Sequence, residues 1–258
     1  MDYTSITYEL ADGIATITLN RPQVMNALSS PLRRELLHAL TRAQTQARVM
    51  VLTGAGRAFC SGQDLQDAGA IGSFDLERIL NEEYVPMIKA ITDSPIPTIS
   101  AVNGAAAGAG ANLALAADIV MATESASFIQ AFTRIGLVPD AGGSYWLPRQ
   151  IGLARSMGAM LLADKITARQ AADWGMIYEV VPDEGFAAHV RARAAQLAAG
   201  PTVAYRGVKQ MLRASFGNDL DKQLALEARL QGQCGQTEDF REGVAAFLEK
   251  RPARFTGT

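Results

Sequence analysis

The chain has 258 residues, 48% of them hydrophobic and 19% charged, with a formal net charge of −2. This length and apolar content suit one α/β domain with a small appendage. The balanced charge leaves no basic excess for nucleic acid or an anionic membrane. Its two cysteines, Cys60 and Cys234, lie far apart without metal-ligand spacing, which predicts buried free thiols, no metal site and a reduced protein. Residues 1–4 lack the basic stretch and apolar run of a signal peptide, and the weakly polar stretch 105–117 is too short to span a bilayer. The expectation is a cytoplasmic protein.

Residues 14–19 alternate, with Ala15, Ile17 and Leu19 on one face and Thr16 and Thr18 on the other, which predicts a half-buried strand ended by Asn20-Arg21-Pro22. Residues 31–47 carry Leu32, Leu36, Leu40 and Ala43 on one helical stripe, with Pro31 suited to the first turn. Residues 49–52 are wholly apolar and read as a strand buried on both faces. The spacing of Leu76, Ile79, Leu80, Tyr84, Met87, Ile88 and Ile91 is helical, and Pro86 should kink or restart that helix. Strands are predicted at 98–102 and 119–122, with a helix between them from about 108 to 117. This alternation up to about residue 150 indicates an α/β core. Beyond it the pattern turns helical at 151–162, 168–174, 186–199, 203–216, 220–232 and 238–250, with one strand at 177–181. In the last helix Phe240, Val244, Phe247 and Leu248 form a stripe and Thr237 suits the N-cap.

Three segments carry possible chemistry. The first is Ala58-Phe59-Cys60-Ser61-Gly62-Gln63-Asp64-Leu65, after a buried strand. The second runs from Ala101 to Asn112 as a strand, a turn of tiny residues and a helix start; there, unpaired N–H groups hold anions and small side chains let a ligand approach the backbone. A Gly/Ala run at such a junction also arises from tight packing alone. Gly108-Ala109-Gly110 is a weak match to a dinucleotide fingerprint, because position 113 is Leu. The third segment, residues 135–143, places Pro139-Asp140 before a helix, where an Asp is commonly a cap. His38 and His189 both fall on amphipathic helices as exposed residues, so acid–base work must fall to a carboxylate. No Gly-x-Ser-x-Gly elbow is present, which argues against a serine hydrolase.

Together these motifs resemble the enoyl-CoA hydratase/isomerase (crotonase) superfamily. The resemblance runs from Leu19-Asn20-Arg21-Pro22 and Asn26-Ala27-Leu28 through Gly62-Gln63-Asp64-Leu65, Asn103-Gly104 and Gly108-Ala109-Gly110 to Asp118-Ile119, and ends at residues 242–251. It implies a spiral of ββα repeats over residues 1–195 and a helical trimerisation region over 196–258, in trimers or paired trimers. It places oxyanion-hole donors on the backbone N–H groups of Gln63 and Ala109, and coenzyme A or substrate contacts at Ala27, Asp64, Leu65 and Gly108. Phe247 and Lys250 would serve a neighbouring subunit's coenzyme A site. No cofactor is implied beyond the coenzyme A of the substrate. The two glutamates of the family's hydratases fall on Asn112 and Phe132, neither of which can act as a base. Asp140 falls where the isomerases place their single acid.

A narrower resemblance rests on Phe128-Ile129-Gln130-Ala131-Phe132, residues 137–143, Trp174-Gly175-Met176-Ile177 and Arg254-Phe255-Thr256-Gly257. It is similar to the branch that isomerises ring-1,2-epoxyphenylacetyl-CoA to an oxepin-CoA, with Asp140 as proton shuttle and Phe132 in an apolar wall around the ring. A Δ3,Δ2-enoyl-CoA isomerase for chain acyl groups is the alternative on the same site. A non-catalytic acyl-CoA-binding subunit is the alternative of another class.

Overall fold

An antiparallel hairpin of β1 (Ile6–Ala11) and β2 (Ile14–Leu19) opens the chain, paired from Ile6 opposite Leu19 to Ala11 opposite Ile14. Its two-residue turn, Asp12-Gly13, has φ of 52° and 74°, the left-handed pair that matches strand twist. The structure, a computed structural model, describes residues 1–66 and 75–258. Periodicity did not reveal β1. It is an edge strand exposed along most of its length, so it carries no buried face to pattern. Helix α1 (Ser30–Gln46) follows, capped by the Ser29 side chain and burying Leu32, Leu36, Leu40 and Ala43.

Three successive turns of chain then repeat one plan. β3 (Val49–Gly54) leads to β4 (Ala58–Cys60), β5 (Thr98–Val102) to β6 (Ala105–Ala107), and β7 (Ile119–Thr123) to β8 (Ser127–Ile129). The first strand of each pair enters a 6-stranded sheet in the order β1-β2-β3-β5-β7-β10, and the second enters a 4-stranded sheet in the order β4-β6-β8-β9. Apart from the β1–β2 hairpin the larger sheet is parallel. Its central strands are buried on both faces, as their unbroken apolar runs require.

Helices fill the intervals. Between β4 and β5 lie α2 (Leu76–Ile79), a π-helical turn (Leu80–Tyr84) and α3 (Val85–Thr92), which has Pro86 in its first turn. The backbone stays helical through the π turn, with right-handed helical dihedrals at Tyr84 and Val85, so Pro86 does not end the helix, and the wider turn lies where proline lacks its N–H. α4 (Ala109–Leu115) separates β6 from β7. α5 (Gly143–Leu162) is longer than the predicted 151–162 segment and breaks at Gly152, whose φ is 76°. β9 (Ile166–Thr167), α6 (Ala168–Asp173), β10 (Glu179–Val181) and α7 (Phe186–Ala198) complete the two sheets and their cover. α8 (Thr202–Ala214), α9 (Leu220–Cys234) and α10 (Glu238–Glu249) end the chain, and the Thr237 side chain caps α10 by accepting from the Phe240 N–H. The fold is the mixed α/β arrangement the sequence predicts. No helix among the described residues is long and apolar enough to cross a membrane.

Two expectations need correction. Cys60 is buried, but Cys234 is only half-buried, because it sits on the outward-lying α9. The residues 103–107, read as a turn, contain β6 and so form part of the second sheet.

Candidate active site

The small sheet brings two turns together. Leu28 and Gln63 form an isolated parallel bridge: the Leu28 N–H donates to the Gly62 carbonyl at 2.8 Å, and the Asp64 N–H donates to the Leu28 carbonyl at 3.3 Å. These bonds use the flanking groups, so the Gln63 N–H faces away from Leu28. Gly62 has φ of 91°, and a Cβ there would lie 2.8 Å from the Ala107 oxygen and 3.4 Å from the Ala109 nitrogen. Only glycine allows this approach, and it sets Gln63 beside the start of α4. Ala109 is the first residue of α4, so its N–H has no intrahelical acceptor. The two N–H groups predicted as donors are therefore neighbours, and neither has an acceptor among the described residues. The extra methyl of Ala109, relative to glycine, is buried against the core.

Asp140 stands immediately before α5, but it does not cap that helix. The cap is Gly142, and no side chain bonds the first turn. The intervening Ala141 has φ of 48° and Gly142 of 85°, a left-handed pair that costs energy at the alanine. The Asp140 backbone carbonyl accepts from the Gly143 N–H at 2.9 Å and from the Asn112 Nδ2 at 2.8 Å. Its carboxylate Oδ1 is buried and has no partner among the described residues. Burial pushes the Asp140 pKa up to about 6, against a smaller opposing effect from its own backbone N–H. A half-buried carboxylate poised near neutrality and held off its own helix suits proton transfer.

Asn112 explains how the loop is held. It is fully buried on α4, donates to the Asp140 carbonyl, and accepts from the Gln130 Nε2 at 2.8 Å. Gly143 packs so closely that a Cβ there would come within 2.4 Å of the Asn112 Nδ2. Both ends of the carboxamide are thus occupied by the protein. Phe132 lies across the same turn: a Cβ on Gly108 would sit 3.8 Å from its ring. Gln63, Ala109, Gly108, Asn112, Phe132 and Asp140 therefore form one cluster.

The other predicted residues divide. Ala27 and Asp64 are joined by Arg21, whose Nη1 donates to the Ala27 carbonyl and to the Asp64 carboxylate, each at 2.7 Å. Leu65 projects outward, 64% exposed. Phe247 is 82% exposed on α10, and Lys250 is that helix's C-cap in a left-handed conformation. Neither belongs to the cluster within this chain. His38 bonds the Tyr3 hydroxyl at 2.8 Å and His189 pairs with Glu179 at 2.8 Å, so both have structural partners. His189 is half-buried rather than exposed, a correction that follows from this pairing. Among the described residues no group of three or more His, Cys, Asp and Glu could hold a metal ion.

Sequence reasoning missed the residues behind the cluster. Arg21 was noted only as part of a motif. Arg33 occurs beside the apolar stripe of α1 yet is 2% exposed. Tyr84, counted as one more apolar helix position, donates its hydroxyl to the Gln63 Oε1. Its phenol pKa is pushed up mainly by burial, is lowered by Arg33, and is raised further by the charge of Asp140. Cys60 beneath it is fully buried, its thiol pKa pushed up to about 12. It is a packing residue rather than a nucleophile.

Comparison with known proteins identifies the family. The Enoyl-CoA hydratase/isomerase family model matches residues 9–258. A Rhodobacter capsulatus protein named "Probable enoyl-CoA hydratase" is 62% identical over 257 residues, covering 100% of both chains. The 1,2-epoxyphenylacetyl-CoA isomerase of Escherichia coli K12 is 44% identical over 250 residues, covering 95% of each. The trans-2-decenoyl-[acyl-carrier-protein] isomerase of Streptococcus mutans is 34% identical over 262 residues, covering 100% of each. Among solved structures, an enoyl-CoA hydratase from Bacillus anthracis superposes with a TM-score of 0.94 at 32% identity, covering 99% of this chain and 100% of the other. The chain belongs to the enoyl-CoA hydratase/isomerase family, enzymes that act on acyl-CoA thioesters.

Proposed function

We propose that this enzyme isomerises 1,2-epoxyphenylacetyl-CoA to an oxepin-CoA, using Asp140 as the proton shuttle. The observation that carries the reading is the unpartnered, half-buried Asp140 carboxylate in a cluster whose two other candidate positions are Asn112 and Phe132. The thioester oxygen would accept from the Gln63 and Ala109 N–H groups. Negative charge gathers on that oxygen when the α-proton leaves, and one such donor is typically worth roughly 3–4 kcal/mol at the transition state. Asp140 in its ionised form takes the α-proton. After the epoxide ring opens to the seven-membered oxepin, the same carboxyl returns the proton to a ring carbon. The double bond moves into conjugation with the thioester and Asp140 ends ionised again, so no atom is gained or lost.

The Escherichia coli relative that bears this activity in its name supports the choice of substrate. Hydration is not proposed, although the Rhodobacter relative is named a hydratase. Asn112 has both ends of its amide engaged, and Phe132 has no proton to exchange. A Δ3,Δ2 shift in a chain enoyl-CoA would use the same groups. It is the second reading, favoured by the isomerase name of the Streptococcus relative. The test offers ring-1,2-epoxyphenylacetyl-CoA beside a 3-enoyl-CoA and follows products by mass spectrometry and ultraviolet absorbance. Faster turnover of the epoxide supports the proposal; turnover of the enoyl-CoA alone selects the second reading.

We also propose that residues 196–258 form an oligomerisation region, giving a homotrimer or a pair of trimers. On α10 Phe240, Val244, Phe247 and Leu248 are all exposed, an apolar stripe that a single chain leaves in water. Phe247 and Lys250 would then reach a neighbouring subunit's coenzyme A. Sedimentation equilibrium should give three or six chains; a monomer at micromolar concentration would remove this part of the proposal.

A further inference from the structure

Gln63 offers two groups to two different places. Its N–H belongs to the proposed oxyanion hole, while its carboxamide is taken up by the protein. The side-chain Oε1 accepts from the Arg33 Nη1 at 3.0 Å and from the Tyr84 hydroxyl, and Nε2 donates to the Asp64 carbonyl at 3.3 Å. Arg33 holds the other half of the same bridge as well, because its Nη1 donates to the Leu28 carbonyl. The guanidinium is itself fixed by Glu83, at 2.9 Å from Nε and 2.8 Å from Nη2, and it lies 4.9 Å from the centre of the Tyr84 ring. Glu83 also accepts from the Ser30 hydroxyl at 3.0 Å. Glu83 and Tyr84 are the last two residues of the π turn, and both meet Arg33. Single π turns inside α-helices recur at functional sites.

A packing role alone would ask only that Arg33 and Glu83 tie α1 to the π turn. It would not require both Arg33 and Tyr84 to converge on the amide of the residue whose backbone lines the acyl site. Charge-assisted hydrogen bonds in a buried network are short and stiff. An oxyanion donor works only if it is already aimed before the charge develops. We propose that Arg33, Glu83 and Tyr84 are positioning residues that set the direction of the Gln63 N–H, acting through the Gln63 carboxamide. This inference rests on the reading of that N–H as an oxyanion donor.

The experiment uses the full chain with Gln63→Met and Tyr84→Phe, singly and together. Each conservative change deletes the Tyr84–Gln63 link from one side, so one variant serves if the other folds poorly. The probe is a cinnamoyl-CoA with an electron-donating para substituent, whose absorption moves to the red when its carbonyl oxygen is hydrogen-bonded. The wild type should show the red shift, and both variants should lose most of it while Kd changes little and circular dichroism shows the chain still folded. Turnover of whichever substrate the wild type turns over faster, the epoxide or the 3-enoyl-CoA, should fall on the order of 10- to 100-fold in kcat, with KM nearly constant, as a misaimed donor predicts. The double variant should be no worse than Gln63→Met alone, because both changes cut one route. Wild-type red shift and kcat in both single variants would overturn the inference and leave the oxyanion reading intact. So would full additivity in the double variant. Absence of any red shift in the wild type would remove the oxyanion reading, and the inference with it.

Discussion

β3, β5 and β7 of the larger sheet are five or six residues long, mostly β-branched or aliphatic, and buried throughout their centres. β4, β6 and β8 of the smaller sheet are three residues each, with the sequences AFC, AAA and SFI. The two sheets are threaded by the same turns of chain, so their difference reflects what each must do. The larger sheet buries apolar surface on both faces and anchors the fold. Under the proposed function, the smaller one needs backbone, not side chains, near the acyl thioester. Small residues at Ala105–Ala107 and Gly108 leave that backbone open, and the site residues Gln63, Ala109, Phe132 and Asp140 follow its strand ends or the loops just beyond them.

If this division of labour is right, changes near the small sheet should disable turnover with the fold retained, and changes in the large sheet should do the reverse. Among changes that leave Asp140 in place, the largest expected loss of turnover comes from Gly62→Ala. The positive φ and the 2.8 Å approach to the Ala107 oxygen leave no room for a methyl group. Displacing both donors should lower kcat by roughly 10²-fold, with circular dichroism unchanged. Asn112→Ala should come next. It strands the Gln130 Nε2, at a cost of about 1–3 kcal/mol, and leaves the Asp140 carbonyl held by the Gly143 N–H alone. The loosened Asp140 loop should lower kcat more than it raises KM, measured in the same assay.

The pH dependence is a smaller effect with a definite sign. Asp140 must be ionised to accept a proton, and burial has pushed its pKa up to about 6. kcat/KM should therefore climb as pH rises through about 6 and level off above it. The same shift works against stability. The folded chain holds this proton more tightly than the unfolded chain, whose ordinary value is 3.8. Stability from this group is full below that value and declines as pH rises through about 6. Asp140→Asn should raise the melting temperature at pH 8 and do so much less at pH 4, by roughly 2–4 °C for each kcal/mol of relieved burial cost. Ile17→Ala, at a fully buried position of the large sheet, should change turnover per folded molecule least of all. Its cost of about 2–5 kcal/mol should appear in denaturant melts instead. A large kcat defect in Ile17→Ala would blur the comparison between the sheets.

The same contrast decides what could be read from the sequence. β2, β3, β5 and β7 were legible because each carries enough alternating or unbroken apolar residues to define a period. Most helices were legible from their stripes, though residues 143–150 of α5 were not, and the Thr237 cap was legible from its side chain. A three-residue strand has no period, so the second sheet was invisible, and Ala105–Ala107 passed for a turn. Asp140 on its own looked like a helix cap; Gly142 fills that place, and only the wider pattern marked the carboxylate. Arg33, Tyr84 and Gln130 were missed for a different reason. Their burial and bonding depend on partners far away in sequence: Glu83 is 50 residues from Arg33, and Gln63 is 21 from Tyr84.

The most direct test of the central claim is a mass-balance assay of the folded wild type and Asp140→Asn with the epoxide and the 3-enoyl-CoA in heavy water. A single carboxylate acting as shuttle predicts a product isomeric with the substrate, with less than one deuterium at the carbon that receives the proton because the abstracted proton is returned, and a loss of roughly 10²–10⁴-fold in the variant. A product heavier by one water, or near-normal turnover in Asp140→Asn, would contradict it.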